Sequence, residues 1–160
     1  AYLLILAHCV ILMVGGHYTY AEVPLFDWLR EVLVLERNHY DKLGHFAQGF
    51  VPAVVAREIL LRKAVVRGRG WLFYIVVSVC LAISAFYEII EWWVALVSET
   101  AADSFLGTQG YVWDTQSDMA FALVGAILAL LSLGRVHDRQ LAGLAADLSL
   151  RGAIAPRQSP

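Results

Sequence analysis

Two carboxylates lie one helical turn apart, directly after a long apolar segment. This segment runs from Trp71 to Tyr87 without a charged residue, and Glu88 and Glu91 follow it in the stretch YEIIEWW. A charged side chain inside a bilayer costs about 2.5–3.5 kcal/mol at the centre of a helix and less toward its ends. Because the same span contains no Lys or Arg to pair with them, the two glutamates predict a functional site.

The overall composition is typical of a membrane protein. Of 160 residues, 59% are hydrophobic and 16% are charged, whereas a soluble domain has about 45–50% and about 25%. A net charge of −2, with no basic cluster interleaved with aromatic residues, argues against a nucleic-acid partner. Cys9 and Cys80 lie in apolar runs and are expected to act as small hydrophobic residues. Because Ala1 already lies in an apolar run, we expect further residues before it.

Four apolar segments are expected to cross the membrane, which requires roughly 20 residues for about 30 Å of hydrocarbon. They are residues 1–16 with their flank, about 41–62, about 71–97 and about 113–134. From Pro24 to about Arg37, apolar residues share one face, which indicates a short helix along the interface. We therefore predict an all-α polytopic membrane bundle with at least four transmembrane helices and one short interfacial helix. The bundle would comprise residues 1–137, and residues 138–160 would form a cytoplasmic tail.

The basic residues are distributed unevenly between the loops. The loop at 62–70 and the C-terminal tail are basic, whereas the loop at 98–113 contains Glu99 and Asp103 but no Lys or Arg. The positive-inside rule places the basic loop and the C-terminus in the cytoplasm of a bacterial inner membrane. The first and third spans then run outward, and the second and fourth run inward.

This topology brings polar residues from three spans to one depth, near the outer surface. Each pair begins or ends a span at that surface: Asp41 and His45, Glu88 and Glu91, and Asp114 and Asp118. His17 and Glu22 follow the first span at the same end. So many acids would repel one another if all were ionised, so protons, Lys42, the histidines or a metal ion must neutralise them.

Carboxylates together with imidazole are suitable ligands for a divalent metal ion such as Zn, Mn, Fe or Mg. The candidate ligands are Asp41, His45, Glu88, Glu91, Asp114 and Asp118. Among these, the candidate catalytic residues, as ligands or general bases, are Glu88, Glu91, Asp118 and His45. A metal ion at this position would activate water and stabilise an oxyanion. Nearby aromatic residues could line a groove for a lipid-linked substrate; they are Tyr87, Trp92, Trp93 and Trp113.

Each of these features also has a simpler explanation. Asp41 and Asp114 could cap the N-termini of their helices, and His45 could pair locally with Asp41. Trp92 and Trp93 could belong to the aromatic belt of the interface. At other depths, His8 is expected to be a buried, hydrogen-bonded histidine, since no second imidazole lies near it to share a haem. Arg57 and Glu58 are expected to form an interfacial ion pair.

Several longer motifs resemble those of the YjdF-type family, which comprises uncharacterised polytopic inner-membrane proteins of bacteria. The motifs are HYTYAEVPL at 17–25, RNHYDKLGHFAQGF at 37–50, ARE at 56–58, YEIIEWW at 87–93 and FLGTQGYVWDTQSDM at 105–119. The resemblance covers about residues 15–130. It implies a fold and a location but no established activity.

A sparser pattern resembles the VanZ-type membrane proteins, which are linked to resistance to a glycopeptide antibiotic. In that pattern an Asp and a His open one helix, a Glu closes the next and an Asp opens the last. The resemblance would carry over Asp41, His45, Glu88 and Asp118 as a candidate site. Glu91 and Asp114 are not part of it, so the likeness is an analogy only.

Three functions are compatible with these observations. The first is a metal-dependent membrane enzyme that acts on a lipid or cell-envelope substrate at the periplasmic surface. The second is a non-catalytic subunit of a larger membrane complex, or a homo-oligomer, in which the small residues of the fourth span form helix contacts. The third is a proton- or ion-coupled transporter, which is disfavoured because the chain has no obvious broken-helix pair or inverted repeat.

Overall fold

Five α-helices and no strand are present in the part of the chain that the computed structural model describes, which is residues 1–97 and 110–154, with side chains to 144. The helices are α1 (Tyr2–His17), α2 (Pro24–Leu33), α3 (Tyr40–Arg62), α4 (Arg69–Val97) and α5 (Asp114–Ile154). The all-α prediction is confirmed for these residues. The acids of the predicted outer loop, Glu99 and Asp103, lie outside the described residues.

Two of the helices, α4 and the segment Asp114–Leu144 of α5, are long and apolar enough to cross a membrane. Only 22% of the residues in the most apolar part of each are buried, so most of these residues are at least partly exposed. Such a surface is suited to contact with lipid and not to the core of a soluble protein. Among the described residues, α1 is too short and α3 too polar to meet the same criteria. The prediction of at least four transmembrane helices is therefore not confirmed.

The polar helix α3 lies at the centre of the bundle and packs against α1, α4 and most extensively α5. Glycines allow the backbones of α3 and α5 to approach closely. A Cβ on Gly49 would overlap the carbonyl group of Ala122, and a Cβ on Gly125 would overlap that of Phe46. Ala126 of α5 is fully buried in a cluster with Ala53 and Val54 of α3. The small residues of α5 thus pack against α3 in the same chain. A helix contact with a partner protein is therefore not needed to explain their presence.

A buried asparagine fixes α2 against the start of α3. The Asn38 side-chain amide donates hydrogen bonds to the Val23 carbonyl and to Asp27 Oδ1, both at 3.1 Å. Its side-chain oxygen accepts a hydrogen bond from the Tyr40 backbone at 3.0 Å. The Tyr40 hydroxyl donates to the Ile11 carbonyl of α1 at 2.9 Å. These contacts tie three helices together next to the predicted site.

Two predicted boundaries differ from the structure. Helix α2 ends at Leu33 and not near Arg37, because Val34 adopts a left-handed conformation with φ 53°. Helix α5 continues past Gly134 to Ile154, because charged residues end a membrane span but do not end a helix. The predicted border between bundle and tail at residue 137 therefore falls inside one helix, and the division itself stays a prediction.

The predicted ion pair between Arg57 and Glu58 is wrong. Arg57 instead donates to Asp138 Oδ1 at 2.6 Å and contacts His137 Nδ1 at 3.1 Å. Glu58 pairs with Arg62 at 2.6 Å, one helical turn away, and with His137 at 3.2 Å. These polar residues therefore join α3 to α5. They lie at the end of the bundle opposite to Asp41.

Replacing Gly49 or Gly125 by alanine should destabilise the fold by roughly 1–3 kcal/mol, because the added methyl group forces α3 and α5 apart. The control is Gly143→Ala, since a Cβ at Gly143 meets no atom within 4 Å. That change should raise helix stability by about 1 kcal/mol. Thermal unfolding in detergent micelles measures all three. Equal melting temperatures for Gly49→Ala and Gly143→Ala would contradict the close helix contact.

Candidate metal centre

Side chains from three helices meet at one buried point. His45 of α3 lies with Nδ1 3.7 Å from Glu88 Oε1 of α4 and with Nε2 3.9 Å from Asp118 Oδ2 of α5. On its own helix, His45 Nε2 lies 3.2 Å from Asp41 Oδ1. All four residues are at least 90% buried. The sequence predicted this convergence, and the structure brings these four side chains together.

The ammonium group of Lys42 lies among three aspartates. Its Nζ donates to Asp118 Oδ1 at 2.5 Å, to Asp114 Oδ1 at 2.7 Å and to Asp41 Oδ2 at 3.2 Å. Lys42 is itself only 6% exposed. A buried cation with three carboxylate partners has all its donors satisfied. It therefore links the first turn of α3 to the first two turns of α5.

The two oxygens of each shared carboxylate have different neighbours. Lys42 contacts Asp41 Oδ2 and Asp118 Oδ1. The opposite oxygens, Asp41 Oδ1 and Asp118 Oδ2, face His45 Nε2. Ligand atoms of Asp41, His45 and Asp118 all lie within 4.8 Å of one another. These three residues therefore form a donor group of two carboxylate oxygens and one imidazole nitrogen, which suits a divalent cation.

The second ring nitrogen of His45, Nδ1, points toward Glu88. Neither His45 Nδ1 nor Glu88 Oε1 has a hydrogen-bond partner in the described structure, although both atoms are buried. The Tyr87 ring packs edge-on against the imidazole, with centroids 5.9 Å apart. Histidine ligands of metals commonly donate their second ring N–H to a carboxylate. Glu88 Oε1, 3.7 Å from His45 Nδ1, lies on the side of the ring where such an orienting group would be found.

The remaining predicted residues have separate positions. Asp114 is bound by Lys42 and by Arg37 NH1 at 2.6 Å, so it contributes to the cation pairs and not to the donor group. Glu91 is buried one turn after Glu88 and is not one of the three donors. His17 and Glu22 are exposed. Of the six predicted metal ligands, the donor group contains Asp41, His45 and Asp118.

The simpler explanations for the site have different outcomes. Helix α3 begins after His39, and no side chain caps it by a hydrogen bond, so Asp41 is not its capping residue. Asp41 and Asp114 do lie in the first turns of α3 and α5, where the helix dipole favours a negative charge. The local pair of His45 with Asp41 is present, but it is part of the larger cluster. Trp92 and Trp93 are 56% and 51% exposed, as expected of an aromatic belt.

Arg37 is the residue of the site that sequence analysis missed. Besides its bond to Asp114, its guanidinium group stacks on the Tyr111 ring, 4.4 Å from the centroid. Arg37 lies in a turn with no helical period to indicate its direction. The only signal in the sequence was its place in the charged stretch RNHYDK, just before Asp41.

An apolar groove of about 930 Å³ adjoins the cluster on the side of Lys42 and Arg37. Its walls include the aromatic side chains Phe26, Phe46 and Phe121. The predicted groove residues Tyr87, Trp92, Trp93 and Trp113 are not among its lining. His39 also lines it, and partial burial, with the nearby Arg37 and Lys42 charges, lowers its pKa. A groove of this size accommodates a drug-sized or lipid-like molecule.

Comparison with known proteins shows the family to which the chain belongs. Residues 1–139 match the family described as predicted membrane protein (DUF2238). The chain is 60% identical over 140 residues to inner membrane protein YjdF of Escherichia coli (strain K12), an alignment that covers 88% of this chain and 67% of that protein. No solved structure matches the chain significantly. The resemblance to YjdF-type proteins is thereby confirmed, and the relative agrees with a location in the inner membrane.

Replacing Lys42 by methionine should destabilise the protein by about 3–5 kcal/mol, because it leaves buried carboxylates without their cation. The matched control is Lys63→Met, which removes the same charge from an exposed position. Unfolding in detergent by heat or by denaturant compares the two variants with the parent chain. Equal stability of Lys42→Met and Lys63→Met would contradict the central role of the Lys42 ammonium group.

Proposed function

We propose that this chain, which belongs to the DUF2238 family of predicted membrane proteins, is a metal-dependent enzyme of the inner membrane. Its substrate would be a lipid or cell-envelope molecule at the periplasmic surface. The observation that carries this proposal is the buried donor group of Asp41, His45 and Asp118. The ligand atoms of these residues that do not contact Lys42 face one another, whereas the second carboxylate oxygen of each aspartate is held by Lys42.

The donor set has the chemistry of a catalytic metal centre. Three protein ligands leave coordination positions for water or substrate, as in many catalytic sites. When bound, a divalent ion would lower the pKa of a water ligand and polarise an ester or phosphoryl oxygen. Glu88 would orient His45 through Nδ1. Glu91, which is buried but outside the donor group, is the candidate general base.

Charge balance supports the presence of a cation. Five buried acids share the site: Asp41, Glu88, Glu91, Asp114 and Asp118. The cations beside them are Lys42, Arg37 and, when protonated, His45. Negative charge therefore exceeds positive charge if all the acids are ionised. A buried excess of this kind is costly unless protons or a metal ion neutralise it.

The neighbouring groove supports a lipid-like substrate. Its aromatic walls suit an apolar chain. Lys42 lines the groove and contacts Asp118 at 2.5 Å, so a molecule in the groove would lie next to the donor group. We infer that the substrate is an amphiphile whose apolar part occupies this groove.

The proposal includes a membrane arrangement. We propose that α1 and α3 cross the bilayer together with α4 and α5, with the basic loop and C-terminus in the cytoplasm. Helix α3 is less apolar than α4 and α5 because it carries polar residues that are buried among the other helices, such as Asp41, His45 and Arg57. Polar residues inside a membrane bundle usually face its interior in this way. At those positions α3 faces other helices and not lipid, so polar side chains there are compatible with a helix that crosses the membrane.

Metal analysis tests the proposal. The protein, purified in detergent and equilibrated with Mn²⁺ or Zn²⁺, should retain metal after desalting. His45→Gln and Asp118→Asn should each lose most of it, because each removes one of three donors. Glu22→Gln, which changes an exposed acid, should retain the metal content of the parent chain. Equal metal in the parent chain and the two ligand variants, or none in the parent with Mg²⁺, Mn²⁺, Fe²⁺ or Zn²⁺, would contradict the proposal.

The role of Glu88 can be tested separately by titration. Glu88→Gln should weaken metal affinity by about 10- to 100-fold, as removal of an outer partner of a histidine ligand usually does. Glu91→Gln should leave metal affinity unchanged, because Glu91 lies outside the donor group. A competition titration with a chelating indicator measures both. Similar losses for the two variants would show a general effect of charge and not orientation of His45.

A further inference from the structure

We propose that the opposite end of the bundle binds the phosphate of an anionic phospholipid. A cavity of about 720 Å³ lies there between the end of α3, the start of α4 and the middle of α5. Three arginines from these three helices line it: Arg57, Arg69 and Arg135. No residue of the candidate metal centre belongs to this cavity, so the inference is independent of the proposed function.

Two of the three arginines are available for a ligand. Arg57 is buried and neutralises Asp138, the acid of the cavity, at 2.6 Å. Arg69 and Arg135 are exposed and have no ion pair or hydrogen bond to other residues of the described chain. The cavity therefore carries two uncompensated positive charges. Arginine binds phosphate well, because its planar group donates two parallel hydrogen bonds.

The start of α4 adds further donors to the same cavity. Arg69 and Gly70 both line it, and the first backbone N–H groups of a helix have no partner within the helix. Leu72 N–H is already bound to the Gly68 carbonyl at 3.1 Å, so the unused amides are the earlier ones. Gly70 has open space where a Cβ would lie. An anion can thus approach the positive end of the helix dipole.

The walls of the cavity favour a lipid over a soluble anion. Leu72, Phe73 and Leu131 line it beside the arginines. Leu131 is 70% exposed and Phe73 is 39% exposed, and both lie on α4 or α5, the two helices with lipid-compatible outer surfaces. An acyl chain could follow this surface while the phosphate contacts Arg69 and Arg135. Basic pockets between membrane helices bind anionic lipid head groups in this manner.

Native mass spectrometry of the full chain tests the inference, with phosphatidylglycerol as the probe and phosphatidylcholine as the zwitterionic comparison. The parent chain should bind phosphatidylglycerol in preference to phosphatidylcholine. The double variant Arg69→Gln, Arg135→Gln should bind it about 10- to 30-fold more weakly, since two contacts with the lipid phosphate are lost. The matched control is Arg67→Gln, Arg139→Gln, which removes two exposed arginines that do not line the cavity.

Each outcome supports or overturns the inference. Unchanged binding by the control with loss in the cavity variant supports it. Equal loss in both variants shows general surface charge and overturns it, as does equal binding of the two lipids by the parent chain. Competition by millimolar inorganic phosphate that displaces the lipid completely would identify a soluble anion as the ligand and overturn the assignment to lipid. Should the double variant fail to fold, the comparison of lipids on the parent chain still decides.

Discussion

The ammonium group of Lys42 holds the candidate site together. It contacts one carboxylate on its own helix α3, Asp41, and two on α5, Asp114 and Asp118. Without it, two helices would present like charges to each other at the point where their backbones come close. With it, the same acids become a fixed frame in which one oxygen of Asp41 and one of Asp118 face His45. Lys42 therefore positions the donor group, because it binds the oxygens Asp41 Oδ2 and Asp118 Oδ1 and leaves the opposite oxygens facing His45.

The close approach of α3 and α5 makes this frame possible. Gly49 and Gly125 leave no room for a side chain at the contact, so the two helices pack backbone against backbone. Asn38 and Tyr40 fix the start of α3 against α1 and α2. The polar residues of α3 are then enclosed by apolar helices whose outer surfaces are suited to lipid. This arrangement explains how a helix with many charged residues occupies the centre of a membrane protein.

Much of the site was predictable from residue spacing. The placement of Glu88 at the end of one apolar span, and of His45 and Asp118 near the start of two others, was enough to predict their convergence. The direction of individual side chains was not predictable. Glu91 and Asp114 are also carboxylates one turn from residues of the cluster, yet neither belongs to the donor group. Asp114 Oδ1 is instead shared by Lys42 and Arg37.

In the fold as well, some features follow from the pattern of apolar residues in the sequence, and others follow only from how the helices pack. The helices and their order followed from apolar length, whereas the continuation of α5 to Ile154 did not, since the end of a hydrophobic span is not a helix stop signal. The partners of Arg57 lay eighty and eighty-one residues away along the chain, at His137 and Asp138. No local pattern indicates contacts of that separation. The local pair with Glu58 was therefore the only partner that spacing could propose.

The most direct measurement of the central claim is an anomalous difference map from crystals of the protein grown with Mn²⁺. The account predicts a peak enclosed by Asp41, His45 and Asp118, on the side of the aspartates opposite to Lys42. A map with no peak there, from protein that carries Mn²⁺ elsewhere, would contradict it and would leave Lys42 as the cation that the acids were built to hold.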